Sequence, residues 1–153
     1  RDQYTIAAVI VPITKVKEYR REMLTLRAKG ARSFHITKER LERQKLAVRR
    51  LASLTYCSFV YSSVSSQKSD LTARQIALSN LLRELEPSEL HLILDRTTME
   101  PFDRKTLFTE REKRLEPIEF VHLERHQDPG LWGADILAWS IRTKFQGNFF
   151  EGQ

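Results

Sequence analysis

The chain opens on a β-branched apolar run, YTIAAVIVPI at 4–13, interrupted by Pro12. A run of this kind reads as a strand. The period then changes. Val16, Tyr19, Met23 and Leu26 recur three and four residues apart, the spacing of one helical face. Thr14 is placed to cap that helix and Gly30 to stop it. ARSFHI (31–36) is a short link, and TKERLERQKLAVRRLAS (37–53) predicts a second helix capped by Thr37. LTYCSFVYSSVSS (54–66) returns to a strand pattern. Ser69 and Asp70 open a helix carrying Leu71, Leu78, Leu81, Leu82 and Leu85, which Pro87 closes. ELHLILD (89–95) is a strand. DRKTLFTEREKRLE (103–116) is a polar helix or loop stopped by Pro117, and PIEFVHLER (117–125) is the last strand. DPGLWGADILAWSI (128–141) is a buried helix with Asp128 at its N-cap and Pro129 at its first position.

The predicted order is strand, helix, helix, strand, helix, strand, helix, strand, helix. Alternation of this kind gives a layered α/β domain with helices on both faces of a mostly parallel sheet. The apolar runs at 54–60 and 90–94 read as interior strands. A length of 153 residues suits one domain, 1–153, with a real core. No repeat or low-complexity segment interrupts it. No run of about 18 apolar residues is present, so no membrane span is expected. Cys57 is the only cysteine. That rules out an internal disulfide and a thiolate metal cage, and it fits a core residue in a reducing cytoplasm.

Charge adds the first functional hint. Residues 1–50 carry 14 Lys and Arg against 5 Asp and Glu, a net of +9; residues 51–153 carry 12 against 15, a net of −3. A basic first third suggests an anionic partner, nucleic acid being the usual one; a solvated Arg-rich surface explains the same counts. On the helix after His35, Lys38, Lys45 and Arg49 fall on one stripe, and Arg43 and Arg50 on a second. Leu41, Val48, Leu51 and Ala52 take the remaining face. The stripes suit phosphate contacts; Glu39 and Glu42 offer partial neutralisation instead.

Two carboxylates stand out. Asp95 ends a strand, where ligands gather in open α/β sheets, although DRTT is also good turn chemistry. Asp135 sits inside an apolar helix, too deep for a first-turn role, and so needs a partner. A salt bridge to an arginine such as Arg96 or Arg125, or a hydrogen bond to a neighbouring strand, is one solution. A divalent cation shared with Asp95 is the other, since two carboxylates repel at close range. Mg²⁺ accepts such ligands together with waters and substrate phosphates, and metal ions can drive phosphodiester hydrolysis. His35 is a candidate proton carrier or phosphate contact, with a turn or core histidine as the alternative. His91 and His122 read as sheet residues, and the four histidines show no zinc spacing.

Three segments, FHITKER with His35, HLILDRTT with Asp95 and LWGADILAWSI with Ala134 and Asp135, together resemble the domain-of-unknown-function 3800 family of bacterial and phage proteins. The resemblance spans most of the chain. It implies a ribonuclease-H-like three-layer fold with a central mixed sheet. It implies a metal-dependent nuclease or phosphodiesterase using Mg²⁺ or Mn²⁺, with Asp95 and Asp135 as metal ligands, His35 assisting, and RNA or DNA as substrate. Family members begin with a strand carrying Asp-Glu followed by Ser-Gly. That pair is absent here, and its expected position falls before Arg1, so either the first strand lies outside this sequence or this member has lost part of its site; in both cases Asp95 and Asp135 are expected to hold metal weakly. A non-catalytic nucleic-acid-binding or protein-interaction module of the same fold, as in toxin, defence or mobile-element systems, is the alternative.

Overall fold

The computed structural model describes residues 3–65, 69–85 and 89–145. The nine predicted elements are present in the predicted order. They are β1 (Gln3–Ile10), α1 (Val16–Leu24), α2 (Leu41–Ala52), β2 (Ser58–Ser65), α3 (Asp70–Glu84), β3 (Leu90–Asp95), α4 (Glu100–Glu112), β4 (Ile118–Leu123) and α5 (Gly130–Arg142). The fold is mixed α/β. Its described strands form two two-stranded sheets, β1 with β2 and β3 with β4, the first antiparallel and the second parallel. A single continuous sheet is not what the described strands make. No described helix is long and apolar enough to cross a membrane.

Two compact units divide the chain. The first comprises Arg1–Ile6 and Tyr61–Glu124; the second comprises Ala7–Val60 and Arg125–Gln153. In the first unit α3 packs on α4. Leu78, Leu82 and Leu107 form its core, with Ile6, Leu92, Leu94 and Phe120 packed against them. Strand side chains alternate between faces. Leu92, Leu94 and Phe120 therefore face that core, while Ile93 and Val121, paired in register, remain 40% and 46% exposed. Strand β3 is thus not the interior strand its apolar run suggested: its outward apolar residue masks an ordinary alternation.

The second unit packs α5 on α1 and α2. Tyr19, Met23 and Leu26 meet the helical spacing expected of α1 and are buried, as are Val48 and Leu51 of α2 and Trp132, Ile136 and Leu137 of α5. Cys57 is buried too. The helix starts differ from expectation. A 3-10 turn, Ile13–Lys15, precedes α1, and Lys15 rather than Thr14 is its N-cap. Helix α1 also ends early, at Leu24. Thr25 closes it by donating its hydroxyl to the Glu22 carbonyl at 2.6 Å, and Gly30 supplies a left-handed turn (φ 83°) farther on. Ser69 caps α3 as expected, accepting from the Thr72 amide at 3.2 Å. The predicted stop at Pro87 lies outside the described residues.

Candidate functional site

The basic surface expected on the second helix is only partly a helical stripe. Lys45 and Arg49 stand on α2, whereas Lys38 lies in a preceding 3-10 turn, Ile36–Lys38. Arg40, not Thr37, is the N-cap, with extended backbone (ψ 156°) that breaks the helix between Lys38 and Lys45. Lys38, Arg40 and Arg49 are exposed and Lys45 is half-buried. Lys38, Lys45 and Arg49 have no anionic partner among the described residues. Arg40 belongs with them, although helical spacing did not single it out.

Arg43 and Arg50 behave differently. Arg43 donates through Nε to Glu39 Oε1 at 2.6 Å and through Nη2 to the Leu26 carbonyl. Its guanidinium lies 6.0 Å from the Phe34 ring centroid. Arg50 donates to the Thr25 hydroxyl. Both arginines therefore tie α2 to the segment that ends α1, Arg43 through a carbonyl there that needs a donor and Arg50 through the Thr25 hydroxyl. The two predicted stripes have separate jobs: one is internal cross-linking, the other is unpaired surface charge.

His35 sits on extended backbone (φ −122°, ψ 107°) just before the 3-10 turn, and its carbonyl accepts the Lys38 amide at 3.1 Å. Asp135 meets Arg125 Nη1 at 3.1 Å, with the aspartate side chain still 25% exposed. The deeper carboxylate of this segment is Asp128, only 3% exposed. Its capping role holds: Oδ1 accepts the Gly130 amide at 2.7 Å, although the helix assignment begins at Gly130 with Pro129 as the flanking residue. Asp128 also accepts two hydrogen bonds from Arg20, at 3.1 and 2.8 Å, a bidentate charge-assisted pair. That hydrogen bonding raises the Arg20 pKa above its ordinary value. Beside it, Tyr19 donates its hydroxyl to the Gly130 carbonyl at 2.6 Å. Burial lifts the Tyr19 phenol far above its ordinary range.

In the first unit Asp95 closes β3 in register with Leu123, half-buried at the carboxyl end of a parallel pair. Arg96, one partner considered for Asp135, is engaged within its own unit, with Glu100 Oε1 at 3.2 Å and the His122 carbonyl at 3.0 Å. Asp95 belongs to the first unit and Asp135 to the second. No group of three His, Cys, Asp or Glu that could hold a metal ion occurs among the described residues.

The most buried polar cluster lies where the sequence pattern gave no signal. Asp103 on α4 is 2% exposed and His122 on β4 is 1% exposed. Arg74 of α3 holds Asp103 with two hydrogen bonds, 2.7 and 2.8 Å, and reaches Tyr4 Oη at 3.3 Å. His122 Nε2 lies 3.2 Å from the same Asp103 Oδ2. Burial works against the Arg74 charge, but the hydrogen bonds to Asp103 and Tyr4 prevail and raise its pKa above the ordinary value. A carboxylate accepting from Arg74 favours the His122 tautomer that donates through Nε2. His122 Nδ1 is then a buried acceptor with no donor. Glu110, one helical stripe along, is also buried and pairs with Arg83 Nη2 at 3.2 Å.

No protein-family model, curated protein or solved structure matches the chain.

Proposed function

We propose that the chain is a nucleic-acid-binding α/β domain that holds the phosphate backbone with Lys38, Lys45 and Arg49. The supporting observation is the split among its basic residues: Arg43 and Arg50 are used inside the fold, while Lys38, Lys45 and Arg49, with Arg40 beside them in sequence, carry charge with no anionic partner among the described residues. A net charge of +9 over residues 1–50 favours a polyanion over water alone as the partner of that surface. The fold behind it is proposed to be ribonuclease-H-like. One antiparallel and one parallel strand pair are compatible with the mixed sheet that the resemblance to the domain-of-unknown-function 3800 family implies. The lone buried Cys57 fits a reducing, cytoplasmic setting. Fluorescence anisotropy with labelled RNA and DNA tests the reading. A Lys38→Gln, Lys45→Gln, Arg49→Gln variant should lose affinity for both by on the order of tenfold or more at low salt; wild-type affinity in this variant refutes it.

A second reading is a divalent-metal-dependent nuclease with Asp95 and Asp135 on Mg²⁺ or Mn²⁺ and His35 moving a proton. Asp95 favours it, since ligands collect at the carboxyl ends of parallel strands. The donor set fits a metal poorly, because Arg125 already balances Asp135. Binding without cleavage is therefore the first reading. Labelled RNA and DNA incubated with Mn²⁺ separate the two: cleavage by the wild type that disappears in Asp95→Ala, Asp135→Ala selects the nuclease.

A further inference from the structure

A cleft of about 420 Å³ opens at the amino end of β4, with Arg111, Arg114, Leu115, Glu116, Pro117 and Glu119 among its walls. It lies at the opposite end of the parallel pair from Asp95. A volume of this order suits a small ligand or one unit of a larger one. Arg111 is its distinctive feature. The guanidinium carbon lies 5.0 Å from the Phe108 ring centroid and 5.0 Å from that of Phe120. The two rings meet edge to face, 5.4 Å apart. Cation–π contacts on both rings hold the guanidinium in place. Among the described residues it has no anionic partner, and its Nε is buried without an acceptor. Its remaining N–H groups are available for an anion.

The surroundings define what kind of anion fits. Phe108 is 47% exposed and Leu115 is fully exposed, so open aromatic and apolar surface lies beside the charge. Arg114 has one nitrogen committed to the Leu82 carbonyl at 3.1 Å. Two arginines against two glutamates leave the walls near neutrality. A dense row of phosphates gains little there, whereas a single phosphate on Arg111 gains charge-assisted hydrogen bonds in a fixed geometry. A ligand that joins one phosphate to a flat ring uses every part of this surface, and single-stranded nucleic acid is bound by this combination of cation and aromatic platform.

We propose that this cleft, together with the exposed Phe108 ring beside Arg111, binds one unpaired nucleotide of a single-stranded nucleic acid, with its phosphate on Arg111 and its base against Phe108 and Leu115. The proposal rests on the nucleic-acid reading above and names the form of nucleic acid. The test measures anisotropy of a labelled ten-nucleotide oligothymidylate and of a labelled duplex, using the full chain at low salt. Arg111→Gln and Phe108→Ala should each weaken the single strand by on the order of tenfold and leave the duplex unchanged. Arg111→Lys should recover only part of the loss, because an ammonium lacks the planar fork. Circular dichroism confirms that each variant is folded, and Leu115→Ala, at a fully exposed position, supplies a variant with little folding risk that should also weaken the single strand. Wild-type affinity for the single strand in Arg111→Gln and Leu115→Ala, alongside loss in the Lys38, Lys45, Arg49 variant, overturns the cleft and leaves the nucleic-acid reading standing. Equal weakening of duplex and single strand also overturns it. Failure of the wild type to bind either oligonucleotide removes both.

Discussion

Asp103→Ala is the substitution with the largest expected effect on the first unit. Asp103 is 2% exposed, and it satisfies Arg74, whose side chain is 14% exposed, and His122, whose side chain is fully buried. Without the carboxylate, Arg74 keeps Tyr4 at 3.3 Å, and His122 loses its Nε2 partner while Nδ1 already lacks one. Breaking a buried pair by removing one partner costs about 3–5 kcal/mol. That is a large part of the roughly 5–15 kcal/mol that a domain has in total. At about 2–4 °C per kcal/mol for a chain of this size, Tm should fall by roughly 6–20 °C. Thermal and urea unfolding followed by far-ultraviolet circular dichroism measure this directly. The triple change Arg74→Met, Asp103→Leu, His122→Phe removes this buried network as a whole and should recover most of the loss, since apolar replacements of a whole buried network are often neutral. A cost below about 1 kcal/mol for Asp103→Ala, the range of an exposed surface pair, would refute the burial argument.

Gly133→Ala should destabilise the second unit by about 1–3 kcal/mol, because an added Cβ would stand 2.0 Å from the Tyr19 hydroxyl; urea unfolding checks this, and a Tyr19→Phe background should relieve part of the cost. Alkaline pH should destabilise the fold. Burial pushes the Cys57 thiol from 9.0 up to about 11, so the neutral thiol is favoured in the folded state. Its contribution, about 2–3 kcal/mol, is complete below pH 9 and is lost as pH rises toward 11, with Tyr19 adding a further loss above pH 10. Urea midpoints measured up to pH 11 should show this decline, and Cys57→Ala should flatten its first part. Arg43→Ala should lower stability by about 1–2 kcal/mol, through loss of its bonds to Glu39 and Leu26, with little change in nucleic-acid affinity of the folded protein.

The order and type of the elements were legible because most buried faces are apolar at helical or strand spacing. Helix α5 and the Ser69 cap of α3 are clear cases. Helix α4 shows where that signal ends. Its buried residues are Asp103, Thr106, Leu107 and Glu110, spaced three, one and three as in any helical core face, but three of the four are polar. A hydrophobic pattern cannot reveal a stripe whose partners, Arg74, His122 and Arg83, lie on other elements. Asp128 was hidden for a related reason: a capping residue and a buried ion-pair acceptor look alike until Arg20 is placed beside it. Asp135 stood out because its helix is apolar, yet its own side chain reaches Arg125 at the edge of that face. The basic segment was legible as charge. Its division into internal arginines and free cations was not, because that depends on where α1 ends and where α2 begins.

The salt dependence of nucleic-acid binding tests the central claim most directly. Each cation that contacts a phosphate contributes close to one unit to the slope of log K against log salt. For the wild type and the Lys38→Gln, Lys45→Gln, Arg49→Gln variant, anisotropy across a salt series should give slopes differing by about 2–3 units, with unchanged unfolding midpoints. The Arg43→Ala variant should keep the wild-type slope. Parallel slopes for the wild type and the triple variant, or a slope lost with Arg43 instead, would contradict the assignment of these three residues to the phosphate backbone.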